Sequence, residues 1–156
     1  MKKIWIMATF AVLTAPLSYS QTVDNAQVFS AAEVQHQLAA LAATAKSKGS
    51  DGTTLGDYRS HALKLSVRTE TGGAEVHAHF DDVIFVTEGN AELVAGGTII
   101  DPHPGSNGEV TGSGIRNGKT HPIAKGDIIH IPAGTPHQMI LAKGITFSAF
   151  VVKVRE

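Results

Sequence analysis

No cysteine occurs among the 156 residues of this chain. No disulfide therefore holds it together, no thiolate is offered to a metal, and no lipid can be attached at a cysteine. Any metal site has to be built from histidine and carboxylates. A basic excess is missing too, since 13 Lys and Arg stand against 14 Asp and Glu. That balance provides no electrostatic footprint for nucleic acid and no basic stripe for anionic membranes. No internal repeat, heptad array or helix-turn-helix segment is present. The longest apolar run, Ile4 to Leu17, is shorter than the roughly 18 residues that a membrane span needs.

That run has a basic start before it, Met1-Lys2-Lys3, and the small-residue tripeptide Ser18-Tyr19-Ser20 after it. The layout predicts a secretory signal peptide, residues 1–20, cut after Ser20 to leave Gln21. Cleavage removes two of the 13 basic side chains, leaving 11 against 14 acidic ones and a formal net charge of −3. The expectation is an exported protein, periplasmic or extracellular, with no stable membrane insertion after cleavage. The remaining length, about 136 residues, is enough to enclose one core without staples.

Past the polar lead-in, Ser30-Ala31-Ala32-Glu33 has capping-box spacing. Val34, Leu38 and Leu41 continue at helical spacing to about Lys48. One amphipathic helix is expected there, packed on the remainder of the chain. Gly49 to Gly56 reads as a turn or linker. From Tyr58 onward the pattern changes to strands, with period-two alternation in His61 to Val67 and Glu75 to His79, then β-prone runs Asp82 to Thr87 and Ala91 to Ala95 on either side of a turn at Glu88-Gly89-Asn90. Thr98 to Asp101, Asp127 to Ile131, Gln138 to Ala142 and Ile145 to Val154 are further strands. Pro102 to Thr120 is a polar excursion with a short strand near Val110. The predicted division is a signal peptide (1–20), a helical extension and linker (21–57) and an all-β domain (58–156). Many short strands with Gly-rich turns argue an antiparallel sandwich or barrel.

Two histidine-bearing segments carry the chemistry. Gly72 to Gly89 holds His77 and His79, and Gly126 to His137 ends on a third histidine. An H-x-H pair on an extended strand points both rings to one face, and a histidine aimed by the Pro132–Pro136 turn completes a facial set. The plainer readings are a solvent-facing pair on an edge strand and a turn histidine with a structural hydrogen bond.

With these motifs, residues 58–154 resemble the cupin superfamily, in its small single-domain form of the cupin 2 conserved barrel type. The family's second motif, G-x5-P-x-G-x2-H-x3-N, is met by Gly126, Pro132, Gly134 and His137, with Leu141 at the last position. In its first motif, G-x5-H-x-H followed by a short gap, a Glu, six residues and Gly, His77 and His79 fill the pair, Gly89 fills the end, and Gly72 precedes His77 closely, though by one residue fewer than the pattern. Asp82 stands at the Glu position, and the gap after His79 holds only Phe80 and Asp81, shorter than usual. The resemblance implies an antiparallel double-stranded β-helix, or jelly-roll barrel, with one N-terminal helix added. It also implies a divalent transition metal (Fe, Mn, Zn or Ni) on His77, His79, Asp82 and His137, with Asp81 as the rival carboxylate. The 90–125 stretch exceeds the family's compact minimum and is expected to form a lid or a contact to another subunit.

Three His and one carboxylate leave open positions on an octahedral ion. The leading functional expectation is a metalloenzyme, dioxygenase-like or isomerase-like, acting on a small organic molecule. The alternatives are a non-catalytic binding or sensing module, and a barrel that lost its metal and serves in assembly. No catalytic residue outside the metal set stands out. Arg59, Arg68, Tyr58 and Gln138 are the polar residues nearest the predicted barrel strands. The partners expected are a small molecule and a second copy of the chain in a homodimer, and no nucleic acid.

Overall fold

The computed structural model describes residues 26–156, so the expected signal peptide lies outside the described residues. Helix α1, Ala31–Lys48, starts where the sequence places its cap. The Ser30 hydroxyl accepts from the Glu33 N–H at 3.2 Å, relieving one of the unpaired amide donors of the first turn. Gly49 ends it with φ +81° and returns its N–H to the Ala45 carbonyl at 2.7 Å, a left-handed cap that glycine accepts without strain. Among the described residues no helix is long and apolar enough to cross a membrane.

Thirteen strands follow: β1 Ser50–Asp57, β2 His61–Arg68, β3 Ala74–His77, β4 Phe80–Glu88, β5 Asn90–Ala95, β6 Thr98–Ile100, β7 His103–Pro104, β8 Glu109–Gly112, β9 Gly114–Arg116, β10 Lys119–Ala124, β11 Ile128–Ile131, β12 His137–Ile140 and β13 Phe147–Arg155. They form a five-stranded sheet in the order β1-β2-β13-β4-β11 and a six-stranded sheet in the order β10-β5-β12-β3-β8-β7, with β6 and β9 as a two-stranded arm. All pairings are antiparallel. Alternating inward faces of the two large sheets enclose one core, where Ile84, Val86, Leu93, Ile131, Phe147 and Ala149 pack together.

Ser50–Asp57, expected as linker, is instead an edge strand of the five-stranded sheet, registered on β2 from Ser50↔Arg68 to Asp57↔Ala62. Its Gly-rich, polar composition reads as a turn. Pairing with β2 decides its conformation, because an unpaired edge backbone gains hydrogen bonds there whatever its side chains are. On β2, Lys64, Ser66 and Arg68 line the interior, so Leu65 and Val67 face outward. Both are nonetheless fully buried, where α1 lies against β1 and β2. Burial of each such side chain is worth about 1.5–3 kcal/mol, and this explains why the helix docks. Beyond its cover the outer face leaves Phe85 39% and Ile128 66% exposed.

The Gly89 turn joins β4 to β5 at φ +79°, and a Cβ there would stand 2.2 Å from the Thr146 carbonyl oxygen. Only glycine fits. The polar excursion is not a loose lid. Its residues form β7 to β9 and lead into β10, and β8 adds itself to β3 over the register Ala74↔Gly112 to His77↔Glu109.

Candidate metal centre

The site follows from strand period and register. Glu75 and His77 are two apart on β3 and therefore share a face. His137, first residue of β12, is the register partner of Glu75, and Glu109 on β8 is the partner of His77. Four side chains from three adjacent strands thus point into the barrel from the six-stranded sheet. Asp82 reaches them from β4 in the facing sheet.

Ligand-capable atoms of Glu75, His77 and His137 all lie within 4.8 Å of one another. His77 Nε2 is 3.8 Å from Glu75 Oε2 and 3.5 Å from Asp82 Oδ2, while His137 Nε2 is 3.6 Å from Glu75 Oε1 and 3.8 Å from the same Asp82 oxygen. His77, His137 and Asp82 are buried, at 9%, 5% and 5% exposure. The His137 Nδ1–H donates to the Thr135 carbonyl at 3.0 Å, and the His77 Nδ1–H donates to the Glu109 carboxylate. With both Nδ1 positions acting as donors, both Nε2 atoms face two carboxylates.

That arrangement sets acceptor against acceptor unless a proton or a cation lies between. Burial alone would push the Glu75 carboxyl up, but the His137 hydrogen bond and the charges of His137, His77 and Arg68 outweigh it and hold it at about 2. Burial would likewise push His137 down. Its bonds to Glu75 and the Thr135 carbonyl, with the Glu75 and Asp82 charges, win and raise it. The donor set suits a metal ion, since bonds of about 2.1 Å at tetrahedral angles put ligand atoms roughly 3.4 Å apart, close to the spacings here.

Of the four residues expected to ligate, the structure brings His77, Asp82 and His137 together and leaves His79 out. Strand β3 ends at His77. Ala78 and His79 form the turn into β4, with the Ala78 N–H on the Gly108 carbonyl at 3.3 Å. The alternation that an H-x-H pair needs is therefore broken, and the His79 ring is exposed. Glu75 occupies the place expected for it. Asp81, the rival carboxylate, faces the other way, taking the Ala133 N–H at 2.7 Å and His130 Nε2 at 3.1 Å. Asp82 instead divides its oxygens, Oδ1 on Lys153 Nζ at 2.8 Å and Oδ2 toward the two imidazoles.

No protein-family model matches the sequence, and no curated protein is significantly similar to it. Solved structures do match. The polyketide cyclase RemF from Streptomyces resistomycificus aligns at a TM-score of 0.50 and 21% identity, over 70% of this chain and 67% of that one. The Cnp3 cupin domain of Schizosaccharomyces pombe aligns at 0.51 and 10%, over 69% and 61%. A double-stranded beta-helix domain protein from Klebsiella pneumoniae aligns at 0.50 and 17%, over 68% and 76%. The chain has the cupin fold.

Within the cupin barrel the cluster sits on one wall of a cavity of about 790 Å³. Arg68, one of the polar residues singled out from the sequence, lines it. Gln138 does not, being spent on the Gly72 carbonyl at 2.9 Å. Tyr58 stacks on His61 with ring centroids 4.9 Å apart, and Arg59 is exposed. Leu141 packs in the core. Sequence reasoning missed Glu75 and Glu109. For Glu75 a signal existed: placing the paired positions at 75 and 77 puts four residues before Asp82 instead of two, which removes the shortened gap of the first motif. Glu109 had no such signal, because its position depends on where the excursion returns to the sheet.

Proposed function

We propose that this cupin is an exported, metal-binding protein whose metal centre acts on a small organic molecule. Glu75, His77, His137 and Asp82 would hold a divalent transition ion, through both Nε2 atoms and the carboxylate oxygens that face them. The observation that carries the reading is the convergence of two imidazole Nε2 atoms and two carboxylates at 3.5–3.8 Å, with each Nδ1 tied down elsewhere. Two imidazoles and carboxylates suit iron, manganese, zinc or nickel. The ion would supply Lewis acidity or redox chemistry at open positions facing the cavity. The chain's own residues have other tasks: Glu109 and Thr135 orient the rings, and Lys153 holds Asp82 in place.

An enzyme is favoured over a passive binder, since the ion would open onto a cavity large enough for a small substrate and a cupin-fold relative is a polyketide cyclase. Elemental analysis of the purified protein, before and after loading with each ion, tests the centre. Near-stoichiometric metal is expected, and no retained metal even after loading would overturn it. Oxygen-uptake and isomerisation screens on the loaded protein then separate enzyme from binding module, the latter predicted by tight ligand binding without turnover.

Export is tested by the mass of the protein recovered outside the cytoplasm, which should begin at Gln21. A homodimer through the outer face of the five-stranded sheet is supported by the row Phe150, Phe85 and Ile128, register neighbours across β13, β4 and β11. Sedimentation equilibrium at twice the chain mass is expected, and a monomer would exclude it.

A further inference from the structure

The cavity has two chemically different walls. Opposite the histidine cluster, β2 and β13 line it with three cations, Lys64, Arg68 and Lys153. Two of these are engaged, Lys153 with Asp82 at 2.8 Å and Arg68 with Glu75 at 3.9 Å. Lys64 has no ion-pair partner among the described residues. It is half-buried and is registered on Val151, two residues from Lys153. The two lysines are therefore diagonal neighbours on one inward face, at a Cα spacing of about 7–8 Å.

Like charges placed together in a half-buried wall raise the free energy of the fold unless an anion comes between them. The charge balance of the cavity points the same way. Its lining carries three cations against four carboxylates, Asp51, Glu75, Asp82 and Glu109. A divalent ion in the cluster would turn that net −1 into +1, with the imidazoles neutral. Ile84, Met139, Phe147 and Val151 line the same space and give it an apolar interior.

We propose that the cavity takes a monoanionic organic carboxylate with an apolar body. Lys64 donates to the carboxylate, Arg68 adds to the positive field, and the body lies along Ile84, Met139 and Phe147 with its far end toward the His77–His137 cluster. A dianion such as a phosphate monoester exceeds the net charge available. The proposal names a substrate class for the metal centre proposed above, and its charge balance rests on that reading.

Calorimetric titration with benzoate, benzamide and phenyl phosphate, on metal-free and zinc-loaded protein, tests it. Benzoate is expected to bind the zinc-loaded form at least tenfold more tightly than either analogue. Lys64→Met should weaken benzoate about tenfold or more, the scale of one lost charge-assisted hydrogen bond, and Lys64→Arg should restore most of it. Zinc stoichiometry, measured separately, should be unchanged in both variants. Zinc uptake without preference for benzoate, or with benzoate binding indifferent to Lys64→Met, overturns the carboxylate site and leaves the metal centre standing. Absence of zinc uptake with Lys64-dependent benzoate binding does the reverse. Absence of both removes both.

Discussion

Glu109 stands directly opposite His77 in the β3–β8 pairing, and its carboxylate accepts the proton of His77 Nδ1. The two residues are 32 apart in sequence, joined only because the polar excursion folds back as a strand. A carboxylate behind a histidine fixes the tautomer and ring orientation and raises the basicity of the other nitrogen. The same excursion thus equips the cluster from behind.

Glu109→Gln should therefore weaken metal binding by about 10–100-fold, the usual consequence of losing a carboxylate partner of a ligating histidine. Competition with a chromophoric chelator measures it. The fold should survive, since Glu109 is half-exposed and its strand is held by backbone pairing. An unchanged affinity would reduce Glu109 to a surface contact.

His79→Ala should leave metal content unaltered, because the ring is exposed and lies in a turn outside the cluster. His77→Ala and His137→Ala should each abolish near-stoichiometric binding, and Glu75→Gln should weaken it while circular dichroism stays β-rich. Metal loss in His79→Ala alone, with Glu75→Gln neutral, would return the ligand role to the H-x-H pair.

The adjacent aspartates should separate cleanly. Asp82→Asn removes an acceptor facing both Nε2 atoms and an ionic partner of Lys153, so metal affinity should drop. Asp81→Asn should keep the metal and lower the melting temperature, because Asp81 anchors the Ala133 amide in the turn that aims His137. A melting curve and a metal assay on each variant suffice, and a reversed pattern would exchange their roles.

In metal-free protein the Glu75–His137 pair should shape the pH profile of stability. Glu75 ionises at about 2 in the fold against a usual 4.5, so its contribution is present above about pH 4.5 and disappears as pH falls toward 2. His137 is raised from its usual 6.5, so its contribution is complete below that value and is lost as pH rises through the folded one. Melting temperatures should be highest between these limits. Because each residue causes the shift of the other, Glu75→Gln and His137→Gln should each flatten both sides of the profile, compared with the unsubstituted protein. Parallel profiles for all three would show that the pair does not govern the titration.

Much was legible in the residues themselves. The capping box of Ser30 and Glu33 located α1 because a helix start is a local hydrogen-bonding problem. Period-two alternation located β2, and the β-prone runs on either side of the Glu88-Gly89-Asn90 turn located β4 and β5. The Pro/Gly spacing before His137 marks the turn that precedes it, because the turn and the first residue of β12 are contiguous. Asp82 stands at the family's Glu position, and as an alternate residue of β4 it shares the inward face with Ile84.

The remainder required the assembled barrel. Ser50–Asp57 looks like a linker and becomes a strand only because β2 offers an edge to pair with. His79 looks like half of a pair, yet the chain turns at Ala78 to bring β4 under β3, and a turn cancels the alternation that an H-x-H motif assumes. Glu109 meets His77, and Glu75 meets His137, through register, a long-range quantity that no window of sequence contains. The sequence by itself determined the fold class and the helix, which rest on local spacing and pattern. Only the tertiary structure decided that Glu109 backs His77 and that Glu75 faces His137, because pairing between strands far apart in sequence sets those neighbours.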